Sequence, residues 1–406
     1  MSEAVAPDGK MPDDSSRLRT FISILRRFAG VSDIAAVRFS LPAQLLEPMP
    51  NLEYWHYLDR PERFAAIGDS DDAVGRMVAC LQFWFTKDIK YVSGRPCKPY
   101  NSTLGEFFRC FWDAEGARVS YLTEQTSHHP PVSAYWAECP QKAVTACGYD
   151  QLSAKFTGTS VKVTPGQFNQ GIFITLHNRD EVYRLTHPIA YLGGIFRGNL
   201  SVSVADTCFI TCAKTGLKVI LHYQEEGYFG KTQNRVEGVV FNCDVAEDKT
   251  TRIKSVPEKD IVGRIDGSWT EQIFFSPGPR EFKKVPRNEK TLLADVRDLR
   301  PVPKQCPPPD VQLPNESRRF WAPVSDAIAA KQFSSATDKK QILEEKQREK
   351  AAERKAQNRI WTPRFFVVEP ERDGGMPRLT DEGVKVIRGL NTGDFHLELP
   401  DEYGAL

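Results

Sequence analysis

The chain has 406 residues, 40% of them apolar and 26% charged, with a formal net charge of +1. That length allows one large domain or two ordinary ones, and the composition is that expected of a globular protein. A near-zero charge gives no global field toward nucleic acid or anionic membranes, so any phosphate binding must come from a local cluster of basic groups.

In chain order, residues 1–15 are polar and expected to be disordered. The start, MSEAVAPDGKMPDDSS, has neither the basic flank nor the apolar stretch of a secretory signal. Residues 16–29 read SRLRTFISILRRFA, with Leu18, Phe21, Ile22, Leu25 and Phe28 at helical spacing and Arg17, Arg19, Arg26 and Arg27 on other faces. Ser15 or Ser16 can cap this helix, and Gly30 can end it. Residues 40–64 hold four prolines and are expected to cross the surface between short helices. Residues 73–86 read as a buried helix.

From about residue 117 to about residue 276, short runs rich in Val, Ile, Phe, Tyr and Thr alternate with Gly, Asn and Asp turns, as in RVSYLTEQ, GIFITLHNRDEVYRLT and TGLKVILHYQ. That spacing predicts an antiparallel meander. A meander of this length must curl closed or split into a sandwich, and a closed form with a wide interior can hold a ligand. After Pro301, PVPKQCPPPDVQLP is a proline-rich connector, and TDKKQILEEKQREKAAERKAQN (337–358) is a charged helix with little apolar face. The final segment, 359–406, includes the strand-like RFFVVE. The expected fold class is mainly β with flanking helices. The expected division is 1–30, 31–315 and 316–406.

No apolar run approaches the roughly 18 residues of a bilayer-spanning helix. The nine cysteines are scattered and form no CxxC pair, Cys208 and Cys212 being the nearest two. Such usage fits a reducing compartment with unbridged thiols, and no metal site is expected.

Three polar groups, far apart in sequence, stand out. In EQTSHHPP (124–131), His128 and His129 are adjacent, which suits a shared metal ion poorly, and Pro130 and Pro131 stop any helix. The loop can be a plain strand-ending turn, or it can present two imidazoles to a fixed anion such as phosphate. In RPCKPYNSTLGE (95–106), Lys98 precedes a proline and is expected on a loop. There it can serve as a compact charge for phosphate, with Asn101 bonding a polyol, or the stretch can be an ordinary surface loop. In KKQILEEKQR (339–348), Lys340, Glu344 and Arg348 share one helical face, either as solvated salt bridges or as part of a site.

Together these segments resemble the oxysterol-binding protein family. EQTSHHPP is similar to its signature EQxSHHPP, KPYNSTLGE to its K-P-x-N-P-x-L-G-E, and KKQILEEKQR to its late charged helix; GYFGKTQNRVEG and GSW (267–269) also resemble family segments. The resemblance covers about residues 18–366. Without a pleckstrin-homology or ankyrin segment, the chain resembles a short fungal-type member. The resemblance implies a large incomplete antiparallel β-barrel around a lipid tunnel, an N-terminal amphipathic lid helix and a C-terminal α-rich region. It implies that the tunnel takes a sterol or, alternatively, the acyl chains of phosphatidylinositol 4-phosphate. Lys98, Asn101, His128, His129, Lys340, Glu344 and Arg348 would hold the phosphoinositide headgroup, and Leu18, Phe21, Ile22 and Leu25 would be the inner face of the lid. Ser102 departs from the family's proline and Thr126 from a common valine, while Leu18 stands where a bulky aromatic could cover sterol.

The physics suits transfer. Burying a sterol-sized lipid yields on the order of 10 kcal/mol gross, provided a lid excludes water, whereas a polyanionic headgroup needs charge-assisted donors. One tunnel cannot hold both lipids, so they should compete and be exchanged between membranes. The opened lid, apolar and flanked by arginines, could lie in a membrane interface. The resemblance implies a monomer without cofactor, without nucleic acid, cytoplasmic and in transient peripheral contact with membranes of the Golgi and endoplasmic reticulum type. Rival readings are transfer of another lipid such as phosphatidylserine, a non-transferring lipid sensor, and an enzyme using a histidine as base or phosphoryl acceptor. The chain has no GxSxG, P-loop or metal-ligand spacing to support the last.

Overall fold

The structure, a computed structural model, describes residues 23–398 apart from 25, 28–29, 35–42, 44–45, 55–56, 88, 94–97, 194–200 and 226–233. The expected lid residues Leu18, Phe21, Ile22 and Leu25 lie outside the described residues.

The chain forms strands β1 (Leu46–Pro50), β2 (Lys98–Tyr100), β3 (Phe107–Ala114), β4 (Ala117–His128), β5 (Pro131–Cys139), β6 (Val144–Asp150), β7 (Leu152–Phe156), β8 (Val161–Pro165) and β9 (Ile172–Leu176). Then follow β10 (Glu181–Leu185), β11 (Ile189–Gly193), β12 (Ser201–Cys212), β13 (Leu217–Tyr223), β14 (Arg235–Asn242), β15 (Ile261–Ser268), β16 (Gln272–Pro277) and β17 (Thr291–Asp295). The longer helices are α1 (Ala73–Thr86), α2 (Ser317–Ala329), α3 (Phe333–Ala356) and α4 (Asp381–Thr392).

Strands β3 to β17 make one antiparallel sheet of 15 strands, nearly all sequential neighbours joined by hairpins. A two-residue hairpin joins Ala114 to Ala117 through Glu115 and Gly116, both at positive φ (49° and 83°), the geometry that matches strand twist in such a turn. Within β13 the residues alternate. Leu217, Val219, Leu221 and Tyr223 join the main core on one face, and Ile220 packs on the other with Val239, Phe241, Val256 and Ile261. Along most of the sheet the first of these faces wraps α1, which buries Met77, Cys80, Leu81 and Trp84 against it. Asp72 caps α1 by accepting from Gly75 N at 2.8 Å. Arg76 on α1 donates to Glu181 of β10 through both Nε (2.8 Å) and Nη2 (2.5 Å), and Tyr183 Oη donates to the same carboxylate at 2.8 Å.

The sheet does not close, because β17 and β3 share no ladder among the described residues. The edge of β3 is instead covered by the connector, with Phe111 bridging Gln305 and Phe107 bridging Glu316, which hides an otherwise unpaired row of backbone groups. On the outer face of β3–β6, α4 buries Val386, Ile387 and Leu390 against Phe107, Phe111 and Leu122.

Three local expectations differ from the fold. The meander begins at Phe107 and ends at Asp295, wider than the alternation alone indicates. Lys98 stands in a short strand rather than a loop, and Leu46–Pro50, read as surface crossing, is its parallel partner. Prolines 48, 50 and 99 are tolerated there because a two-stranded edge asks few donors of either strand.

Candidate functional site

The site is built on the segment from Lys98 to Glu106. Tyr100 anchors β2 on α2, its ring 4.8 Å from that of Trp321 and its hydroxyl 3.1 Å from Ser325 Oγ. Glu106, 1% exposed, accepts from Thr103 N (2.9 Å), Ser317 Oγ (2.7 Å) and Trp321 Nε1 (3.0 Å), tying the loop to α2. Burial pushes this carboxyl up to about 7 against those three donors. Gly105 turns the chain with φ +78°, and its carbonyl accepts from Asn315 Nδ2 at 2.8 Å.

The second part is the β4–β5 hairpin. Gly105 N donates to Gln125 O and Gln125 N to Glu106 O, at 3.0 and 2.8 Å, so the hairpin is stitched directly to the first segment. The turn is only two residues, His129 and the cis-linked Pro130, between paired His128 and Pro131. Most polar residues of EQTSHHPP bond inward to protein. Glu124 accepts from Arg364 N and Phe365 N at 2.8 Å each, Gln125 Nε2 donates to Ser127 O, Thr126 Oγ1 to Val132 O and Ser127 Oγ to Pro130 O. The imidazoles remain at the tip, with ring centroids 4.5 Å apart and His129 exposed. His128 Nδ1 lies 3.0 Å from Ser102 O. A carbonyl can only accept, so Nδ1 carries the proton and Nε2 donates only when the ring is imidazolium.

The third part is α3, packed on α2. Its buried residues are Ala336 and Lys340, one turn apart. Lys340 Nζ pairs with Glu344 Oε1 at 2.8 Å, and Arg348 Nη2 reaches Glu344 Oε2 at 3.7 Å from an exposed position.

These three parts meet. Lys98 Nζ donates to Asn101 Oδ1. Loss of hydration and the like charge of Lys340, partly offset by Glu344, pull the Lys98 ammonium down to about 8. Lys98 nonetheless keeps an exposed flank. His128 is tied through the Ser102 carbonyl to the Lys98–Asn101 segment, and Lys98 lies within electrostatic reach of Lys340 and Glu344, which Arg348 adjoins. Ser102 itself is 4% exposed, and its hydroxyl has no hydrogen-bond partner among the described residues. Backbone bonds, rather than the serine side chain, hold the loop where the family pattern has proline. Among the described residues no group of three or more His, Cys, Asp or Glu is arranged to hold a metal ion.

The model of the oxysterol-binding protein family matches residues 20–380. The chain is 36% identical to oxysterol-binding protein-like protein 1 of Schizosaccharomyces pombe, over 95% of this chain and 94% of that protein. It belongs to the oxysterol-binding protein family. Its fold is similar to the Osh1 ORD domain solved in complex with cholesterol, with TM-score 0.70 and 21% identity over 93% of this chain and 90% of the other. It is also similar to the Osh3 ORD of Saccharomyces cerevisiae solved in complex with PI(4)P, with TM-score 0.62 and 18% identity over 88% and 89%. The incomplete antiparallel barrel is thus shared with these family domains.

Sequence reading missed two features of this family member. The carboxylates Glu106 and Glu124 brace the site from behind; an acidic residue between apolar neighbours, as in GEFF, is the only hint the sequence offers. The second is a polar–aromatic cluster within the core. Tyr57 Oη donates to Asp150 Oδ1, Trp84 Nε1 donates to Tyr223 Oη at 2.9 Å, and Lys87 Nζ lies 4.7 Å from the Trp84 ring and 5.2 Å from that of Tyr57. Burial lifts the nearby Asp59 carboxyl to about 6, with Lys90 opposing. The alternation pattern reads such tyrosines as apolar and says nothing of what their hydroxyls meet.

Proposed function

We propose that this chain is a lipid-transfer protein that binds a sterol or phosphatidylinositol 4-phosphate, one at a time, and exchanges them between membranes. The observation that carries the reading is the meeting of Lys98 and Asn101, the His128–His129 turn and the Lys340–Glu344–Arg348 face in one cluster. A phosphorylated inositol presents several anionic acceptors and hydroxyls close together. Lysine and arginine cations, imidazolium donors, an amide and a carboxylate match that mixture. Glu344 serves two ends: it accepts from an inositol hydroxyl and keeps Lys340 and Arg348 oriented.

Support for the sterol side comes from kinship, since one similar domain was solved with cholesterol and another with PI(4)P. Two ligands sharing one interior compete. The segment holding Leu18, Phe21, Ile22 and Leu25 is the proposed lid, whose apolar face covers the bound lipid and, when open, rests on the membrane interface. Among the described residues no helix is long and apolar enough to cross a membrane.

Displacement tests the reading. Protein loaded with a fluorescent sterol is mixed with liposomes containing phosphatidylinositol 4-phosphate. Sterol should leave the protein in step with phosphoinositide uptake, with a combined occupancy near one lipid per chain. Simultaneous occupancy by both, or uptake of neither, would overturn it.

A further inference from the structure

The connector that covers the barrel's open edge carries a thiol opposite a thiol of β3. Phe111 and Gln305 exchange both backbone hydrogen bonds, Phe111 N to Gln305 O at 3.0 Å and Gln305 N to Phe111 O at 2.8 Å. In antiparallel register the next pair along is Cys110 with Cys306. Because Phe111 and Gln305 form the hydrogen-bonded pair, Cys110 and Cys306 form the non-bonded pair. There the Cα atoms approach to about 4.5 Å and the side chains are closest. That is within the roughly 4.4–6.8 Å span that a disulfide bridges.

Side-chain direction agrees. Cys110 belongs to the main core and Cys306 packs against that same core, whereas Phe111 faces the opposite cluster. The two thiols are near enough to act on each other's ionisation. Cys110 is fully buried, but Cys306 is only partly so and can be reached from solvent. Two cations stand beside it. Lys304 is two residues away, and Arg318 is held by a bidentate pair with Glu53 at 2.8 and 2.5 Å. The neighbouring Cys110 thiol holds the Cys306 thiol below its ordinary range, with Arg318 and Lys304 assisting and burial and Glu53 opposing. Burial pushes the Cys110 thiol well up. One partner is therefore suited to attack as thiolate and the other to remain a proton-bearing thiol.

We propose that Cys306 and Cys110 are a peroxide-sensitive pair that closes a reversible disulfide between the connector and the edge strand of the barrel. The Cys306 thiolate attacks one oxygen of hydrogen peroxide, the O–O bond breaks, and the departing hydroxide takes a proton to leave as water. Cys306 is then a sulfenic acid. The Cys110 sulfur attacks the Cys306 sulfur, the S–O bond breaks, and the hydroxyl leaves as water with the Cys110 proton. The peroxide is reduced by two electrons to two waters, and the two thiols are oxidised to one disulfide. The bond fastens the edge strand to the segment that runs on into Glu316, Ser317 and Trp321, the residues that brace the Lys98–Glu106 loop and β3.

The test uses the full chain treated with hydrogen peroxide, unfolded in the presence of an alkylating agent and digested without reductant. The expected product is a joined peptide containing Cys110 and Cys306, two hydrogens lighter than the separate peptides and released by dithiothreitol. In Cys110→Ser, Cys306 should instead be trapped as sulfenic acid by dimedone. The oxidised wild type should unfold several degrees higher than the reduced form, and Cys306→Ser should lose that difference. Recovery of both cysteines as separate alkylated peptides after peroxide, or of Cys306 as sulfinic acid while Cys110 stays alkylatable, overturns the proposal.

Discussion

Lys340 and Glu344 lie one turn apart on α3 and meet at 2.8 Å, although Lys340 is 4% exposed on a helix that is otherwise solvated nearly all round. A lysine stem turned inward on such a helix gives up hydration, and the carboxylate restores part of it. Glu344→Gln removes that compensation. Breaking a fully buried pair from one side costs about 3–5 kcal/mol, but Glu344 is 20% exposed and admits water, so about 1–3 kcal/mol is expected. Lys340→Met removes the charge and its hydration cost together and should stay within about 1 kcal/mol of wild type. Urea unfolding midpoints of the two variants check the difference.

Affinity for phosphatidylinositol 4-phosphate should fall as pH rises through about 8. Lys98 in the free protein is pulled down to about 8 by burial and by Lys340, and a bound phosphate favours its charged form and raises it again. The attraction is therefore complete below about 8 and declines progressively as pH rises above it toward the higher value of the bound state. Lys98→Arg keeps the charge at every working pH and should flatten the alkaline limb, measured by liposome extraction from pH 7 to pH 9.

Stability carries a different pH signature. Burial lifts both Glu106 and Glu124 to about 7, above the roughly 4.3 of an unfolded glutamate. The folded state then holds the proton more tightly than the unfolded one. Their contribution is fully present below about 4.3 and is lost as pH rises through about 7, on the order of 3 kcal/mol for each group. The lowered carboxyls Glu181 and Asp248, which pair with Arg76 and Lys218, act the opposite way, losing their contribution as pH falls below the usual carboxylate range. Glu106→Gln is an apt probe. Its amide oxygen can still accept from Thr103 N and Trp321 Nε1, while its NH2 donates to Ser317 Oγ. Denaturant titrations at pH 5 and pH 8 should show about half the wild-type fall in stability for Glu106→Gln.

Much of this was legible in the chain because the responsible forces are local. Alternation of apolar residues with Gly and Asn turns announced the meander, and the two consecutive prolines after His129 ruled out a helix at the strand end. The four-residue spacing of Lys340, Glu344 and Arg348 did place them along one α3 face. Other features were hidden because they depend on partners remote in sequence. Lys98 enters a strand only because Leu46–Pro50 lies beside it. Glu106 and Glu124 look like surface carboxylates until Trp321 and the backbone of residues 364–365 come to meet them. The Cys110–Cys306 register exists only once the connector folds back over β3, and scattered cysteines give no sign of it.

The central claim is that the paired imidazoles serve the phosphoinositide headgroup and not the fold or the sterol. His128→Ala combined with His129→Ala, with folding verified by circular dichroism, should be assayed for extraction of phosphatidylinositol 4-phosphate and of sterol from the same liposomes. Loss of two charge-assisted donors should lower phosphoinositide extraction by at least about tenfold and leave sterol extraction within about twofold of wild type. Equal loss of both lipids from a folded variant, or undiminished phosphoinositide extraction, would contradict the account.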